Sequence, residues 1–286
     1  MSVNSSSSVS AVAHCMDSES ANLMSIAFTI TRIFLLLPLS ALVLYLGHRR
    51  WRQQRSFATL SHSDIFTYHM VVVELVVMLA AIFYFCGLAV GLSELIMVGI
   101  YATGFVYPGQ MCFQILTCVE RYLAVVHPIT YLELRQSGGV RLRNISIGCV
   151  WLLGFGWIGL TALYLPEIPY IPFFCMLGFS LVVVCFCSLC VIRVLIRPGP
   201  GDVGGDRVRV DQSKQRAFYT ITAIMGVLGL WLAGSILGLA LDRSELLSYS
   251  DGCLLLVAAN WFSLPSSLLL PLLFLHRAGK LLCTCL

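Results

Sequence analysis

Charged residues are scarce in this sequence of 286 residues. Lysine, arginine, aspartate and glutamate together make up 11% of the chain, whereas an ordinary soluble domain carries about 25%. Hydrophobic residues make up 58%, and the mean hydropathy is +0.88. Such a chain has too few polar side chains to cover a surface in contact with water. Its composition therefore predicts an integral membrane protein.

Polar segments long enough to form a soluble domain are missing, and so are the motifs of enzymes. The longest polar stretches are residues 1–22 and 197–216. The loops contain no phosphate-binding glycine loop, no histidine cluster with metal-ligand spacing and no convincing catalytic triad. We therefore expect neither enzymatic activity nor a bound metal ion or cofactor. The net charge of +4 comes from basic loops, so no nucleic-acid partner is implied.

The apolar residues are concentrated in runs long enough to cross a membrane as helices. A spanning helix needs about 20 mostly apolar residues, because a bilayer core is about 30 Å thick and a helix rises about 1.5 Å per residue. The runs are 23–46, 65–90, 95–126, 145–165, 171–196, 217–241 and 252–275. They are too continuous for barrel strands, which alternate in polarity. We predict an all-α membrane protein with a seven-transmembrane helix bundle over 23–275, a tail over 1–22 and a short tail over 276–286.

Basic and acidic loops alternate along the chain, so the basic residues collect on one side of this bundle. They follow the first, third and fifth apolar runs, and Arg277 and Lys280 lie in the carboxyl-terminal tail. The loops of the opposite side are acidic, with Arg243 as their one cation. Because loops rich in lysine and arginine stay in the cytoplasm, we expect the amino terminus to be extracellular. We expect the protein to lie in the plasma membrane. The basic loops are expected to lie beside anionic lipid headgroups and a cytoplasmic protein.

The most specific motif lies at the inner end of the third run, where Glu120-Arg121-Tyr122 is followed by LAVVHP. It resembles the Asp/Glu-Arg-Tyr motif of the rhodopsin-like (class A) G-protein-coupled receptors. An arginine beside an acid at a membrane edge can be held in one conformation and released toward a partner in another. The resemblance implies that Arg121 meets a heterotrimeric G protein and that Glu120 restrains it. The alternative is an interfacial ion pair without a signalling role.

The second run places Glu74 where the same family has a buried acid. His69 replaces the family's asparagine in this run, and Leu270 replaces the asparagine of the seventh run. The resemblance therefore implies a buried polar site without the family's sodium ion. One hypothesis is that Gln110 donates a hydrogen bond to a protonated Glu74.

The resemblance is weaker in the sixth and seventh runs. Of the family's Asn-Pro-x-x-Tyr motif only Pro271 and an aromatic ring, Phe274, remain, and a phenyl ring cannot donate the tyrosine's hydrogen bond. Pro271 permits a kink in its helix. In the sixth run Trp231 is either a rotamer switch or a packing residue, and Ala233 replaces the proline that kinks this helix in the family. Trp151 in the fourth run is expected to be structural.

Ligands of such receptors enter from outside, and the resemblance implies pocket positions at Thr103, Tyr107, Trp231 and Asn260. Thr103 stands where amine receptors have an aspartate, and the seventh run has no lysine for retinal. Because the outer loop 166–170 is short, we expect a small or lipidic extracellular ligand. Arg32, in the outer half of the first run, either snorkels to the interface or faces an outer cavity and meets an anionic ligand group.

Two cysteine pairs are candidates for modification. A disulfide between Cys15 and Cys253 would resemble the tie between the amino terminus and the seventh helix in chemokine and purinergic receptors; Cys86 and Cys175 are further outer-side cysteines. Cys283 and Cys285 follow a basic turn and suit palmitoylation.

Asn4 begins a glycosylation sequon on the predicted outer side, whereas the sequon at Asn144 is cytoplasmic by charge. Two other functions stay open. One is a transporter or channel with Glu74 and Arg32 as pathway charges, which the lack of internal repeats disfavours. The other is a non-signalling receptor-like protein that traps ligands or forms heterodimers.

Overall fold

The computed structural model describes residues 19–54, 62–134, 137–164, 170–196, 206–242 and 249–283. This part of the chain is helical almost throughout and contains no strand. In chain order the helices are α1 (Glu19–Gln54), α2 (His62–Val90), α3 (Ser93–Gly104), α4 (Val106–Val126), α5 (Pro128–Leu134), α6 (Ser137–Tyr164), α7 (Tyr170–Ile196), α8 (Asp206–Asp242) and α9 (Tyr249–Ala259), followed by a 3₁₀ turn (Asn260–Ser263) and α10 (Leu264–Cys283).

Seven segments of the described chain are long and apolar enough to cross a membrane. They are Glu19–Arg52, His62–Val90, Ser93–Val126, Gly139–Leu163, Ile171–Val194, Ala217–Leu241 and Val257–Gly279. Each overlaps one predicted run, so the prediction of seven long apolar helices is confirmed.

The helices extend beyond the runs that predicted them. α1 begins at Glu19, inside the predicted tail 1–22, and α10 continues to Cys283, inside the predicted tail 276–286. α8 begins at Asp206, within the polar stretch 197–216. Hydropathy marks only the apolar part of a helix, whereas backbone hydrogen bonding continues into its polar ends.

The third segment is broken at Phe105, which separates α3 from α4. In a regular helix the N–H of residue 108 would bind the carbonyl of Gly104, but Pro108 has no N–H. In addition, the N–H of Phe105 bonds to the carbonyl of Ala102 at 3.3 Å, which lies three residues back rather than four. The single helix predicted over 95–126 is therefore two helices in series.

The seventh segment is interrupted by the 3₁₀ turn Asn260–Ser263 rather than at Pro271. The N–H of Leu264 bonds to the carbonyl of Trp261, and Pro265, which comes next, can donate to no carbonyl. Pro271 lies inside α10, which is continuous. The break thus lies nearer the start of this segment, and the kink that Pro271 permits stays a prediction.

The core of the bundle is built around α4, with Phe113 and Met111 fully buried against residues such as Ile221 of α8 and Leu270 of α10. The outward faces are apolar as well. Phe34 is 78% exposed, Leu163 82% and Ile171 78%. Exposed apolar surface on this scale is rare on monomeric soluble proteins.

Candidate functional site

A cavity of about 240 Å³ lies between α1, α2, α3, α4, α8 and the 3₁₀ turn. All four predicted pocket residues, Thr103, Tyr107, Trp231 and Asn260, line it. Arg32 of α1 lines it too, together with Gln110 of α4. The structure therefore brings the residues named from the resemblance into one place, and we call this end of the bundle the cavity end.

Aromatic rings form one wall of the cavity. Trp231 is 2% exposed, and its ring centroid lies 5.8 Å from that of Tyr107 and 5.8 Å from that of Phe173. α8 is continuous through this region, as Ala233 in place of a proline leads one to expect. These contacts show Trp231 as a packing residue of the wall, while its role as a switch stays a prediction.

An ion pair inside the bundle joins Arg32 of α1 to Glu74 of α2. Nη2 of Arg32 lies 2.7 Å from Oε2 of Glu74, with the side chains 13% and 0% exposed respectively. Arg32 therefore finds its partner within the chain instead of extending to an interface. Removing one member of such a buried pair leaves an uncompensated charge, which costs about 3–5 kcal/mol.

Gln110 completes the surroundings of Glu74. Its Nε2 donates to Oε1 of Glu74 and, at 2.6 Å, to Oγ of Ser267 in α10. The contact raised as a hypothesis from sequence is present, but Arg32 holds the other carboxylate oxygen. Glu74 thus has a charged partner, whereas the hypothesis required a neutral acid.

A polar strip continues along α4 from Gln110 toward Arg121. Nε2 of Gln114 donates to Oγ of Ser266 at 2.8 Å and to the carbonyl of Ser266 at 2.9 Å. Positions 110, 114, 117 and 121 share one helix face, because residues three and four apart lie above one another. This face connects the cavity to the other end of the bundle.

Three arginines meet at that other end, which we call the arginine end. Oγ of Ser63 in α2 accepts hydrogen bonds from Nη2 of Arg121 at 2.6 Å and from Nη1 of Arg277 at 2.7 Å. Asp64 lies 3.4 Å from Arg277 and 3.4 Å from Arg50 of α1. One short segment of α2 therefore holds α1, α4 and α10 together.

Glu120 and Arg121 have different described partners, and the restraint of Arg121 by Glu120 stays a prediction. Within the described chain, the side chain of Arg121 bonds to Ser63 and forms no ion pair with Glu120. Adjacent residues of a helix point about 100° apart, so their side chains do not face each other. Glu120 is 6% exposed and accepts a hydrogen bond at 3.3 Å from Oη of Tyr131 in α5. The described contact that restrains Arg121 is with Ser63.

Two more of the residues predicted as switch positions, Phe274 and Tyr122, lie near the arginine end. Phe274 is fully buried, with the guanidinium carbon of Arg50 5.1 Å from its ring centroid and the ring of Tyr68 at 5.4 Å. A phenyl face attracts a cation, so Phe274 can interact with Arg50 although it has no hydroxyl group. Oη of Tyr122 lies 3.1 Å from Nε2 of His127.

His69 and Trp151 form a hydrogen bond that joins α2 to α6. Nε1 of Trp151 donates to Nδ1 of His69 at 3.2 Å. The imidazole also stacks on Phe113, with ring centroids 5.9 Å apart and planes at 15°. His69 thus has a structural role, and the expectation for Trp151 agrees with this packing.

Several predicted modification sites lie outside the part of the chain that the structure describes. Asn4, Cys15 and Cys285 lie outside the described residues, and only the backbone of Cys253 and Cys283 is described. Cys86 and Cys175 are free cysteines. In the described ranges no group of three histidine, cysteine or acidic side chains is arranged to hold a metal ion.

Sequence reasoning missed Ser63, Asp64 and the contacts of Arg50 and Arg277. The arginines were interpreted only as a topology signal, although Asp64 is an acid placed among basic segments and was a sign of pairing. A serine in an apolar helix gives no comparable signal. Comparison with protein-family models and with curated proteins finds no match for the chain.

Proposed function

We propose that this protein is a rhodopsin-like receptor of the plasma membrane, with its amino terminus outside, that passes an external ligand signal to a heterotrimeric G protein. In this proposal the cavity receives the ligand and the arginine end meets the G protein. The protein binds and changes conformation, and it catalyses no reaction.

Membrane embedding is supported by the outward faces of the helices. Large apolar side chains such as Phe34, Leu152 and Ile171 are mostly exposed on the bundle. Lipid tails solvate such residues without penalty, whereas water does not. The ionisable groups Arg32 and Glu74 point inward and pair, as intramembrane charges do.

The observation that carries the proposal is that one face of α4 bears both Gln110, in the cavity wall, and Arg121, in the arginine end. A ligand that displaces this face at the cavity also displaces the hydrogen bond to Ser63. Such a shift requires only that the ligand binds one arrangement of the bundle more tightly than the other. Released from Ser63, Arg121 would be available to a cytoplasmic partner.

The two other functions explain less of this arrangement. A transporter needs a series of pathway charges that a substrate can reach, yet of the two expected charges Glu74 is fully buried and only Arg32 lines the cavity. A non-signalling function does not explain why Arg121 is hydrogen-bonded at the opposite end of the bundle from the cavity. It is nevertheless the outcome to expect if Arg121 proves irrelevant.

The test is basal and ligand-screened nucleotide exchange on a panel of G proteins, in cells that express the full chain. Arg121→Ala is compared with the wild type and with Arg141→Ala, an exposed arginine of α6. We expect Arg121→Ala to abolish the signal and Arg141→Ala to preserve it at equal surface expression. Equal signals from wild type and Arg121→Ala would refute coupling through Arg121 and favour the non-signalling protein.

A further inference from the structure

We propose that the cavity binds a small amphipathic anion, a carboxylate with a short apolar or aromatic tail, whose carboxylate accepts hydrogen bonds from Arg32. This inference rests on the proposed function in that it names the class of the external ligand. It follows from the distribution of charge, donors and apolar surface around the cavity.

The charge of the cavity wall has one sign. Within the described chain, Arg32 is the one lining residue with a formal charge. Its partner Glu74 is fully buried behind it and does not line the cavity. A ligand that enters therefore meets the guanidinium before the carboxylate. Electrostatic complementarity of this kind selects an anion.

Arg32 also has an N–H donor, at Nε, that is not hydrogen-bonded within the described chain. A guanidinium carries five N–H donors in a planar fork, and Glu74 is contacted through Nη2. Among the residues that the structure describes, none accepts a hydrogen bond from the buried Nε. A ligand carboxylate beside this atom would supply the missing acceptor, so Arg32 can bind it while still contacting Glu74.

A second donor without an acceptor lies next to the cavity. Nε1 of Trp261 is buried and has no hydrogen-bond partner in the described part of the chain. Its ring packs against Phe28, a lining residue, with centroids 5.6 Å apart, and Arg32 lies over the same phenyl ring at 6.0 Å. Both unsatisfied buried atoms on this side are thus donors, and of the two residues Arg32 is the one that lines the cavity.

Three of the lining hydroxyls are already engaged as donors. Thr29 donates to the carbonyl of Ser25 at 2.9 Å, Thr103 to that of Ile100 at 2.7 Å, and Ser263 to that of Asn260 at 2.6 Å. Their hydrogens are used within their own helices. These three hydroxyls therefore offer no free hydrogen to a ligand, whereas Arg32 does.

Much of the remaining wall is apolar, with side chains such as Met78, Phe85, Ile100 and Trp231. At about 240 Å³ the cavity is smaller than the pockets of about 300–1,000 Å³ that hold drug-sized ligands. These properties fit a short-chain or aromatic acid rather than a long lipid.

The experiment uses the purified full-length protein in lipid nanodiscs and a panel of aliphatic and aromatic carboxylates of increasing length. Each acid is paired with its primary amide, which has the same shape and no charge. Affinities are measured by ligand-dependent thermal stabilisation. For the best acid we expect binding at least about tenfold tighter than for its amide, because hydrogen bonds to charged groups are the stronger ones.

Four variants locate the preference. Arg32→Gln should remove the preference for acid over amide, and Arg32→Lys should retain part of it. Glu74→Gln should tighten acid binding, because it removes the anion that competes for the guanidinium. Since single changes leave a buried charge unpaired, the double variant Arg32→Gln with Glu74→Gln provides a neutral pair, and it too should show no preference.

Equal affinity for acid and amide in the wild type would overturn the inference, as would a preference that persists in the double variant. The outcome is independent of G-protein coupling. Acids that bind through Arg32 without raising nucleotide exchange would contradict the proposed function alone. Exchange that depends on Arg121 but not on any acid would contradict this inference alone.

Discussion

The hydroxyl of Ser63 accepts hydrogen bonds from two arginines, Arg121 at 2.6 Å and Arg277 at 2.7 Å. A hydroxyl oxygen has two lone pairs, so both are engaged. The arginines belong to α4 and α10, and Ser63 to α2, so one oxygen atom links three helices. If the ends of these helices separate, the link is lost in a single step, as a two-state element requires.

Ser63→Ala should release Arg121 and raise basal nucleotide exchange. We expect an increase of about threefold to tenfold. A hydrogen bond to a charged group contributes about 1.5–3 kcal/mol. In the released state the guanidinium of Arg121 regains part of this free energy through other hydrogen bonds, so the equilibrium shifts by less than the full amount. The measurement is exchange without ligand at equal surface expression.

Ser40→Ala is the matched control for this change. Ser40 is also buried, but its hydroxyl has no hydrogen-bond partner in the described chain, so its loss should leave exchange unchanged. An unchanged rate in Ser63→Ala, or an equal rise in both variants, would show that the bond to Ser63 does not restrain Arg121.

The ion pair between Arg32 and Glu74 should show strong coupling in thermal unfolding of the purified protein. Arg32→Gln and Glu74→Gln should each destabilise by about 3–5 kcal/mol, because each leaves a buried charge alone. The double variant should be more stable than either single one. Additive losses would contradict a direct interaction in the folded protein.

Trp151→Phe should lower the free energy of unfolding by about 0.5–1.5 kcal/mol beyond the effect of the smaller ring, because it removes the hydrogen bond to His69. Trp157→Phe in the same helix is the control. Trp157 is buried, but its indole makes no hydrogen bond within the described residues. Equal losses for the two variants would assign the whole effect to ring volume.

The two glycosylation sequons test the orientation of the chain. In cells, removal of glycans should change the electrophoretic mobility of the wild type and of Asn144→Gln, but not that of Asn4→Gln. Asn144 lies in α6, where its Oδ1 accepts hydrogen bonds from Arg143 at 3.3 and 3.2 Å. A glycan that depends on Asn144 would place the arginine end outside and refute the proposed orientation.

The long apolar helices were predictable because a spanning helix needs about 20 consecutive apolar residues, and such a run can be recognised from the local sequence alone. The pocket positions were predictable to the extent that a motif fixes the register of its helix. The breaks at Phe105 and at Asn260–Ser263 were not predicted, although Pro108 and Pro265 lie next to them. A proline marks where a backbone bond is missing, and the surrounding packing decides how the helix responds.

Composition, hydropathy and the distribution of charge by themselves determined the number of long apolar segments, their approximate limits and the end of the bundle at which the cations collect. Only the tertiary structure decided which charges meet: Arg32 with Glu74, and Arg121 with Ser63 rather than with Glu120. The reason is that hydropathy depends on each residue alone, whereas a hydrogen bond depends on the rotation and register of two helices. Those are determined by packing between segments distant in sequence.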